Sequence, residues 1–343
     1  INLAISKGIE KGLTKYSSPA GLMELRLKVA KKLNDENNIK ADAKNIVITS
    51  GSKFACMLAF MTLLEPGDEI INITPCYVSY IPQIKIAEPN SKIINISLNK
   101  NDFSLDILKI KNNINHKTKL LVINFPHNPT GKILKEQQVR ELVNLAIEYD
   151  FYILSDEIYE KLNFSNINFV SPASLKEALN RVIVINGFSK SYSMTGFRIG
   201  YGLFPEFMVS NAIKLQQHLL TNVPGFIQFS AIKALELSSN TLLHYKSELK
   251  RSSDYLHAMT KSCRNLSCVT PEGGFFAFIN IKLTGLSSDE FSEKLLSEKF
   301  VATTPGIAFG EDWDDHIRVS LSAGYNIFKE GVDLLIEFVD SLK

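Results

Sequence analysis

Val184-Ile-Asn-Gly-Phe-Ser-Lys-Ser-Tyr-Ser-Met-Thr-Gly-Phe-Arg-Ile-Gly-Tyr201 is an apolar run that breaks into a small polar turn holding one lysine, Lys190. A second cation, Arg198, follows between Gly196 and Gly200. A free ammonium at the end of a buried strand is costly, so a lysine there usually has chemistry to do. The chemistry that fits is a Schiff base from Lys190 to pyridoxal phosphate, with Arg198 as a planar clamp on the phosphate. The plainer alternative is a surface turn with two solvated cations. The rest of the chain decides between them.

Working outward, short apolar runs alternate with helical patterns. The strand candidates are 45–50, 69–74, 92–98, 119–124, 152–155, 182–186 and 199–203. Amphipathic stretches at 52–64, 135–149 and 175–180 lie between several of them. This alternation predicts an α/β fold with a mostly parallel seven-stranded sheet flanked by helices. A long polar helix is expected over 241–261, then strands at 274–281, 301–304 and 316–321 and a last helix over 329–342. The expected division is a large domain, 1–240, and a smaller C-terminal α/β domain, 241–343, joined by the long helix as a hinge.

The 343 residues suffice for that arrangement, and 45% hydrophobic content supports a real core. The net charge of +2 comes from interspersed acids and bases. No basic block with interleaved aromatics and no metal-ligand spacing appears, so neither nucleic acid nor a metal is expected as a partner. No apolar run is long enough for a bilayer. The four cysteines, Cys56, Cys76, Cys263 and Cys268, read as reduced and the location as cytoplasmic, with a Cys263–Cys268 bridge left open. The chain starts at Ile1 in what reads as the middle of a helix, so part of the N-terminus is expected to be missing or processed.

The strand ends carry the unusual residues, where open α/β sheets place ligands. Asp156 closes one strand, where a carboxylate would pair with a pyridine nitrogen and keep the ring an electron sink; a helix N-cap is the plain alternative. Tyr159, three residues on, would reach the same face and donate to the phenolate oxygen. Asn124-Phe-Pro-His-Asn-Pro-Thr-Gly131 breaks a buried strand into a turn. Asn128 there would reach both the phenolate oxygen and a substrate carboxylate, and His127 sits beside it. Thr49-Ser-Gly-Ser-Lys-Phe-Ala55 joins a strand to a helix, so Gly51 and Ser52 would expose N–H groups to a phosphate. Tyr77 would stack on a planar ring. Arg318, on an apolar C-terminal strand, needs an anion: a substrate α-carboxylate held bidentately is the natural one, and a structural ion pair is the plain alternative, the better one without the other motifs.

Taken together, Tyr16-Ser-Ser-Pro-Ala-Gly-Leu-Met-Glu-Leu-Arg26, Leu64-Glu-Pro-Gly-Asp-Glu69, Pro75-Cys-Tyr-Val-Ser-Tyr80, Asn128-Pro-Thr-Gly131, Ser155-Asp-Glu-Ile-Tyr159 and Ser189 to Tyr201 resemble, in order and spacing, the class I/II pyridoxal-phosphate aminotransferases of fold type I. The bacterial aspartate/aromatic branch is the nearest likeness. The resemblance implies that Lys190 is the Schiff-base lysine and proton shuttle. It gives Asp156 the pyridinium, and Tyr159 and Asn128 the phenolate oxygen. It puts Gly51, Ser52, Lys53, Ser189 and Arg198 around the phosphate, Tyr77 on the ring and Arg318 on the α-carboxylate. Tyr16 matches a residue that reaches the other subunit's phosphate, which implies a homodimer with shared sites. Three departures stand out: Tyr77 where this branch often has tryptophan, Gly187 where some branches have serine, and no N-terminal arm or glycine-proline substrate loop ahead of Ile1.

The expected activity is transfer of an amino group from an acidic or aromatic L-amino acid to a 2-oxo acid such as 2-oxoglutarate, by a ping-pong route. Lys53 would meet a side-chain carboxylate or serve as a second phosphate cation. The same cofactor residues would also serve a β- or γ-lyase or a cyclase resembling aminocyclopropane-carboxylate synthase. A non-catalytic cofactor-binding protein is the third reading.

Overall fold

The computed structural model describes residues 1–237 and 240–342, so the expected end of the smaller domain, Lys343, lies outside the described residues. Helices α1 (Asn2–Glu10) and α2 (Met23–Asn37) precede strand β1 (Ile46–Thr49), α3 (Ser52–Leu63) and β2 (Glu69–Thr74). Then follow α4 (Tyr80–Ala87), β3 (Lys92–Ser97), α5 (Ile107–Lys111), β4 (Thr118–Asn124), α6 (Glu136–Glu148), β5 (Tyr152–Asp156), β6 (Val182–Gly187) and β7 (Gly200–Leu203). Helices α7 (Glu206–Leu220), α8 (Gly225–Ala234) and α9 (Asn240–Ser262) lead to β8 (Ser267–Cys268), β9 (Phe276–Asn280), α10 (Ser288–Lys299), β10 (Thr304–Pro305), β11 (His316–Ser320) and α11 (Tyr325–Ser341).

The first seven strands form one sheet in the order β1-β7-β6-β5-β4-β2-β3. Strands β6, β5, β4, β2 and β3 run parallel, and β7 runs antiparallel to both β6 and β1. β6 is buried along its whole length, as expected of a strand with helices on both faces. Val182 and Val184 face the layer that holds α2, α6 and α8, whereas Ile183 and Ile185 face α3, α4 and α7. The second sheet is antiparallel, in the order β10-β11-β9-β8, and packs on α9, α10 and α11. Its Phe278, with Phe309 and Trp313 nearby, joins the larger core instead of its own.

All seven expected strands of the first sheet form within a residue or so of their limits. Three expectations fail locally. The 175–180 stretch is a 3₁₀ turn over Lys176–Arg181, not an α-helix. The strand expected at 301–304 shrinks to Thr304–Pro305, because the left-handed Phe300 ends α10 and the chain re-enters the sheet only opposite Arg318. The last helix begins at Tyr325, a full turn earlier, since Gly324 releases it. All four cysteines are free thiols, so Cys263 and Cys268 are not bridged. No described helix is long and apolar enough to cross a membrane.

One buried ion pair stands out. Lys32 on α2 bonds Glu160, with side-chain exposures of 6% and 7%, and Asn37 donates to the same carboxylate. Removing one partner strands a charge, whereas removing both need not. Lys32→Met should lower the unfolding free energy by about 3–5 kcal/mol, and Lys32→Met/Glu160→Leu should recover most of that in denaturant melts. A Lys32→Met loss below about 1 kcal/mol would mark the pair as solvated.

Candidate active site

Register alone brings the special residues to one edge of the sheet. Asn124 pairs with Asp156 across β4 and β5, Gly187 with Gly200 across β6 and β7, and Thr49 with Gly200 across β1 and β7. At this edge the backbone comes unusually close. A Cβ on Gly200 would lie 2.4 Å from the Ser52 nitrogen, and one on Gly187 would lie 2.9 Å from the Gly200 Cα. Gly187 is therefore glycine because strands meet there; the missing hydroxyl reflects a lack of room.

Gly51 has φ +80 and starts α3, whose N-terminus no side chain caps. A Cβ at Gly51 would lie 2.5 Å from Nη2 of Arg198. Arg198 is itself left-handed, at φ 52, and its Nη1 donates to the Thr195 carbonyl at 2.9 Å. A guanidinium thus lies over free helix N–H groups, which together make an anion cradle. Ser52 opens the helix beside it. Ser189 is buried between Phe188 and Lys190 in the facing turn.

Asp156 is 6% exposed. Tyr80 donates its hydroxyl to Oδ2 at 2.7 Å, and the Ile158 N–H donates to Oδ1 at 3.2 Å. Burial pushes its pKa up to about 6 against these hydrogen bonds and the nearby Lys190 charge. No described cation forms an ion pair with this carboxylate, so a protonated ring nitrogen would fit it. The expected helical turn is absent: Asp156 caps an Asx-type turn, and a 3₁₀ turn over Glu160–Leu162 follows Tyr159. The neighbouring Glu157 faces elsewhere. Its carboxyl accepts from Ser155 and Ser171, and burial pushes it up to about 8.

Lys190 is half-buried, with Nζ 5.9 Å from the Tyr159 ring and 5.0 Å from that of Phe275. Burial, then the charges of Arg318 and Arg198, lower its pKa, which makes a better nucleophile at neutral pH. Burial and the Asp156 charge raise the Tyr159 phenol, which stays a proton donor. Asn124 ties the next turn in place. Its Nδ2 donates to the Asp156 carbonyl at 2.8 Å and its Oδ1 accepts from the Asn128 N–H at 3.1 Å.

Arg318 closes the far side. Nη1 donates to Asn128 Oδ1 at 3.1 Å and Nη2 to Thr304 Oγ1 at 3.2 Å. The rings of Phe276 and Phe309 lie 4.1 Å and 4.9 Å from the guanidinium carbon. No described carboxylate pairs with it. Tyr77 is half-buried and meets Tyr80 edge-on at 5.4 Å. Lys53 is exposed, with its ammonium 5.6 Å from the Tyr77 ring. Tyr16 is 88% exposed and makes no described side-chain hydrogen bond to the strand-end residues.

Sequence reading missed Tyr80, Asn124 and Thr304. Tyr80 lies three residues after Tyr77, and only its placement at the start of α4 aims its hydroxyl at Asp156. Asn124 was visible as a polar end to an apolar strand. Thr304 ends a strand the sequence does suggest, but only the pairing of β10 with β11 sets it opposite Arg318.

His127 is buried, stacks on Phe125 at 5.1 Å and bonds Thr130 Oγ1 through Nδ1 at 2.8 Å. Burial depresses its pKa to about 3. A histidine with a depressed folded pKa contributes stability above its unfolded value of about 6.5, lost as pH falls towards 3. Imidazole NMR should show His127 neutral from pH 8 down to about 5, far from general acid–base work at neutrality. A transition near 6.5 would contradict this burial.

The family model for "Aminotransferase class I and II" matches residues 2–329. An aspartate aminotransferase of Pyrococcus abyssi is 36% identical over 95% of this chain and 84% of its own length. An aromatic-amino-acid aminotransferase of Thermococcus litoralis has the same identity over the same shares. The crystal structure of an aromatic aminotransferase from Pyrococcus horikoshii superposes with a TM-score of 0.95 at 32% identity, covering 99% of this chain and 91% of that one. These matches run along nearly the whole chain, and the chain belongs to the class I and II aminotransferases.

Proposed function

We propose that the strand-end cluster is the catalytic centre of an aminotransferase that moves the amino group of an acidic or aromatic L-amino acid to a 2-oxo acid such as 2-oxoglutarate. The observation that carries this reading is Arg318, a half-buried guanidinium fixed by Asn128 and Thr304 and left without a carboxylate. These two bonds use two of the five guanidinium N–H donors, and the remaining donors suit the planar fork of an α-carboxylate.

Pyridoxal phosphate is the family's cofactor, and when bound its protonated ring draws electrons from the carbon bearing the substrate nitrogen. The anion cradle of Gly51, Ser52, Ser189 and Arg198 would hold its phosphate. Asp156 would hold its ring nitrogen, Tyr159 and Asn128 its phenolic oxygen, and Tyr77 its face. Lys190 Nζ would bind its aldehyde carbon. As a free amine, Lys190 Nζ would take and hold the proton of the substrate α-carbon. The lowered pKa supports that base role. The aromatic rings around Lys190 and Arg318 would exclude water from this step.

The substrate side chain is read from the same surroundings. Tyr77, Phe275, Phe276 and Phe309 offer apolar area, and Lys53 offers an exposed charge. Relatives named for aspartate and for aromatic amino acids fit both halves of this reading. We also read the protein as a cytoplasmic homodimer. Exposed Leu3, Tyr16, Met23 and Leu27 of the first two helices and their linker support a contact that carries Tyr16 into the partner's phosphate site. The division into 1–240 and 241–343, with α9 as hinge, belongs to the same reading.

Borohydride reduction of the yellow holoenzyme should fix the cofactor on the peptide containing Lys190, and Lys190→Ala should lose both the label and turnover. A label on another peptide would overturn the assignment. Release of ammonia in place of a new amino acid would overturn transamination. Aspartate, glutamate, phenylalanine and alanine should then be compared in wild type and Lys53→Ala. If Lys53 reads a side-chain carboxylate, kcat/KM for aspartate should fall by about 1.5–3 kcal/mol, with phenylalanine spared. Equal losses on all four would assign Lys53 to the cofactor.

A further inference from the structure

Two turns of the site touch twice. The first carries Tyr159 and, two residues on, Lys161; the second carries Lys190 and, two residues on, Tyr192. Lys190 Nζ lies 5.9 Å from the Tyr159 ring, and Lys161 Nζ donates to the Tyr192 hydroxyl at 3.1 Å. Tyr192 sits inside a tight turn closed by the Ser193 N–H on the Lys190 carbonyl at 3.1 Å. Its ring packs on Phe188 at 5.4 Å, so its position and that of the Lys190 backbone are linked through few rotatable bonds. Ser193 follows in the left-handed region, at φ 53, which keeps the turn compact.

The other turn is fixed from outside the site. Lys161 also pairs with Glu36 of α2 at 2.8 Å, and Glu160 takes Lys32 and Asn37 from the same helix. Three residues in the last two turns of α2 thus grip two consecutive residues after Tyr159. None of these groups touches the strand-end residues that would bind cofactor or substrate. A purely structural tie would need only the buried Lys32–Glu160 pair. The Lys161–Tyr192 bond adds a link to the lysine turn itself, which otherwise reaches this side only through packing.

We propose that the Lys161–Tyr192 hydrogen bond is a brace that sets the spacing between the Tyr159 turn and the Lys190 turn, and that Lys161 and Tyr192 are positioning residues for the transfer step. The proposal rests on the reading of Lys190 as the cofactor-bound lysine. Its physical basis is that proton transfer from a carbon is sensitive to the base's placement, whereas binding of the α-carboxylate at Arg318 is not linked to this bond. The brace therefore acts on kcat and leaves KM nearly alone.

The test uses holoenzyme carrying Tyr192→Phe, which keeps the ring and removes the hydroxyl. Its kcat should fall roughly tenfold, within the range of up to about a hundredfold that a misplacement near 1 Å can cost, with KM within about twofold. The pH midpoint of its visible absorbance should move by roughly half a unit, because the environment of the Lys190 nitrogen changes. Lys161→Met, which removes the donor, should show the same loss, and Lys161→Arg, which keeps a donor, should recover most of it. The double variant Lys161→Met/Tyr192→Phe should be no worse than Lys161→Met, which has already lost both this bond and the Glu36 ion pair. A Tyr192→Phe enzyme with lowered melting temperature but unchanged kcat and absorbance midpoint would overturn the brace, as would multiplicative losses in the double variant. Borohydride labelling of wild type keeps the two readings apart. A label off Lys190 overturns the assignment of that lysine and the brace with it, while a label on Lys190 with a silent Tyr192→Phe overturns the brace alone.

Discussion

A carboxylate buried without a cation is the constraint from which the rest of the site follows. Asp156 ends a strand that is covered on both faces, so its charged form is disfavoured by desolvation. Tyr80 and the Ile158 N–H supply hydrogen bonds but no positive charge. With its pKa raised to about 6, this carboxylate is an anion held at a cost, which a cation arriving from the open side would relieve. The sheet therefore holds a standing electrostatic demand at the end of β5, which a protonated ring nitrogen would meet.

The opposite demand sits across the cleft. Arg318, Arg198 and Lys190 are cations without described carboxylate partners, and both arginines lie near enough to act on the Lys190 charge. Arg198 lies over the N-terminus of α3, Lys190 stands beside the Tyr159 ring, and Arg318 is held by Asn128 and Thr304. One anion at the helix N-terminus, one at Arg318 and a cation at Asp156 would balance the whole set. A phosphate, a ring nitrogen and an α-carboxylate would supply those charges. Burial, then the charges of the two arginines, lowers the affinity of Lys190 for a proton, and that lowering suits an amine that would act as nucleophile and base.

The glycines set how close these groups come. Gly51, Gly187 and Gly200 allow β7, β6 and the start of α3 to approach closely, and a Cβ at any of the three would meet a heavy atom at 2.9 Å or less. The helix N-terminus thereby reaches the plane of the strand ends instead of standing a side chain's width away. The polar ties behind the site, from α2 to the residues after Tyr159, keep that edge from relaxing.

Much of this was legible in the sequence. Alternation of short apolar runs with amphipathic ones locates the seven strands, because a strand buried on both faces must be apolar along its length. Lys190, Asp156, Asn128, Arg198 and Arg318 were legible as polar or charged residues ending or interrupting such runs. The sequence could not distinguish Tyr77 from Tyr80, since both follow the same strand and only the start of α4 decides which hydroxyl reaches Asp156. It could not show Thr304 beside Arg318, because which strands pair, and in what register, is not written in either run. Nor could it show that Gly187 is small for lack of space, or that Lys161 reaches Tyr192 across 31 positions of chain. Local chemistry and periodicity determined which elements form and which residues are too polar to be idle. Only tertiary structure decided which of those residues meet, since contacts between strand ends depend on register, crossover order and the close approach of backbones far apart in the chain.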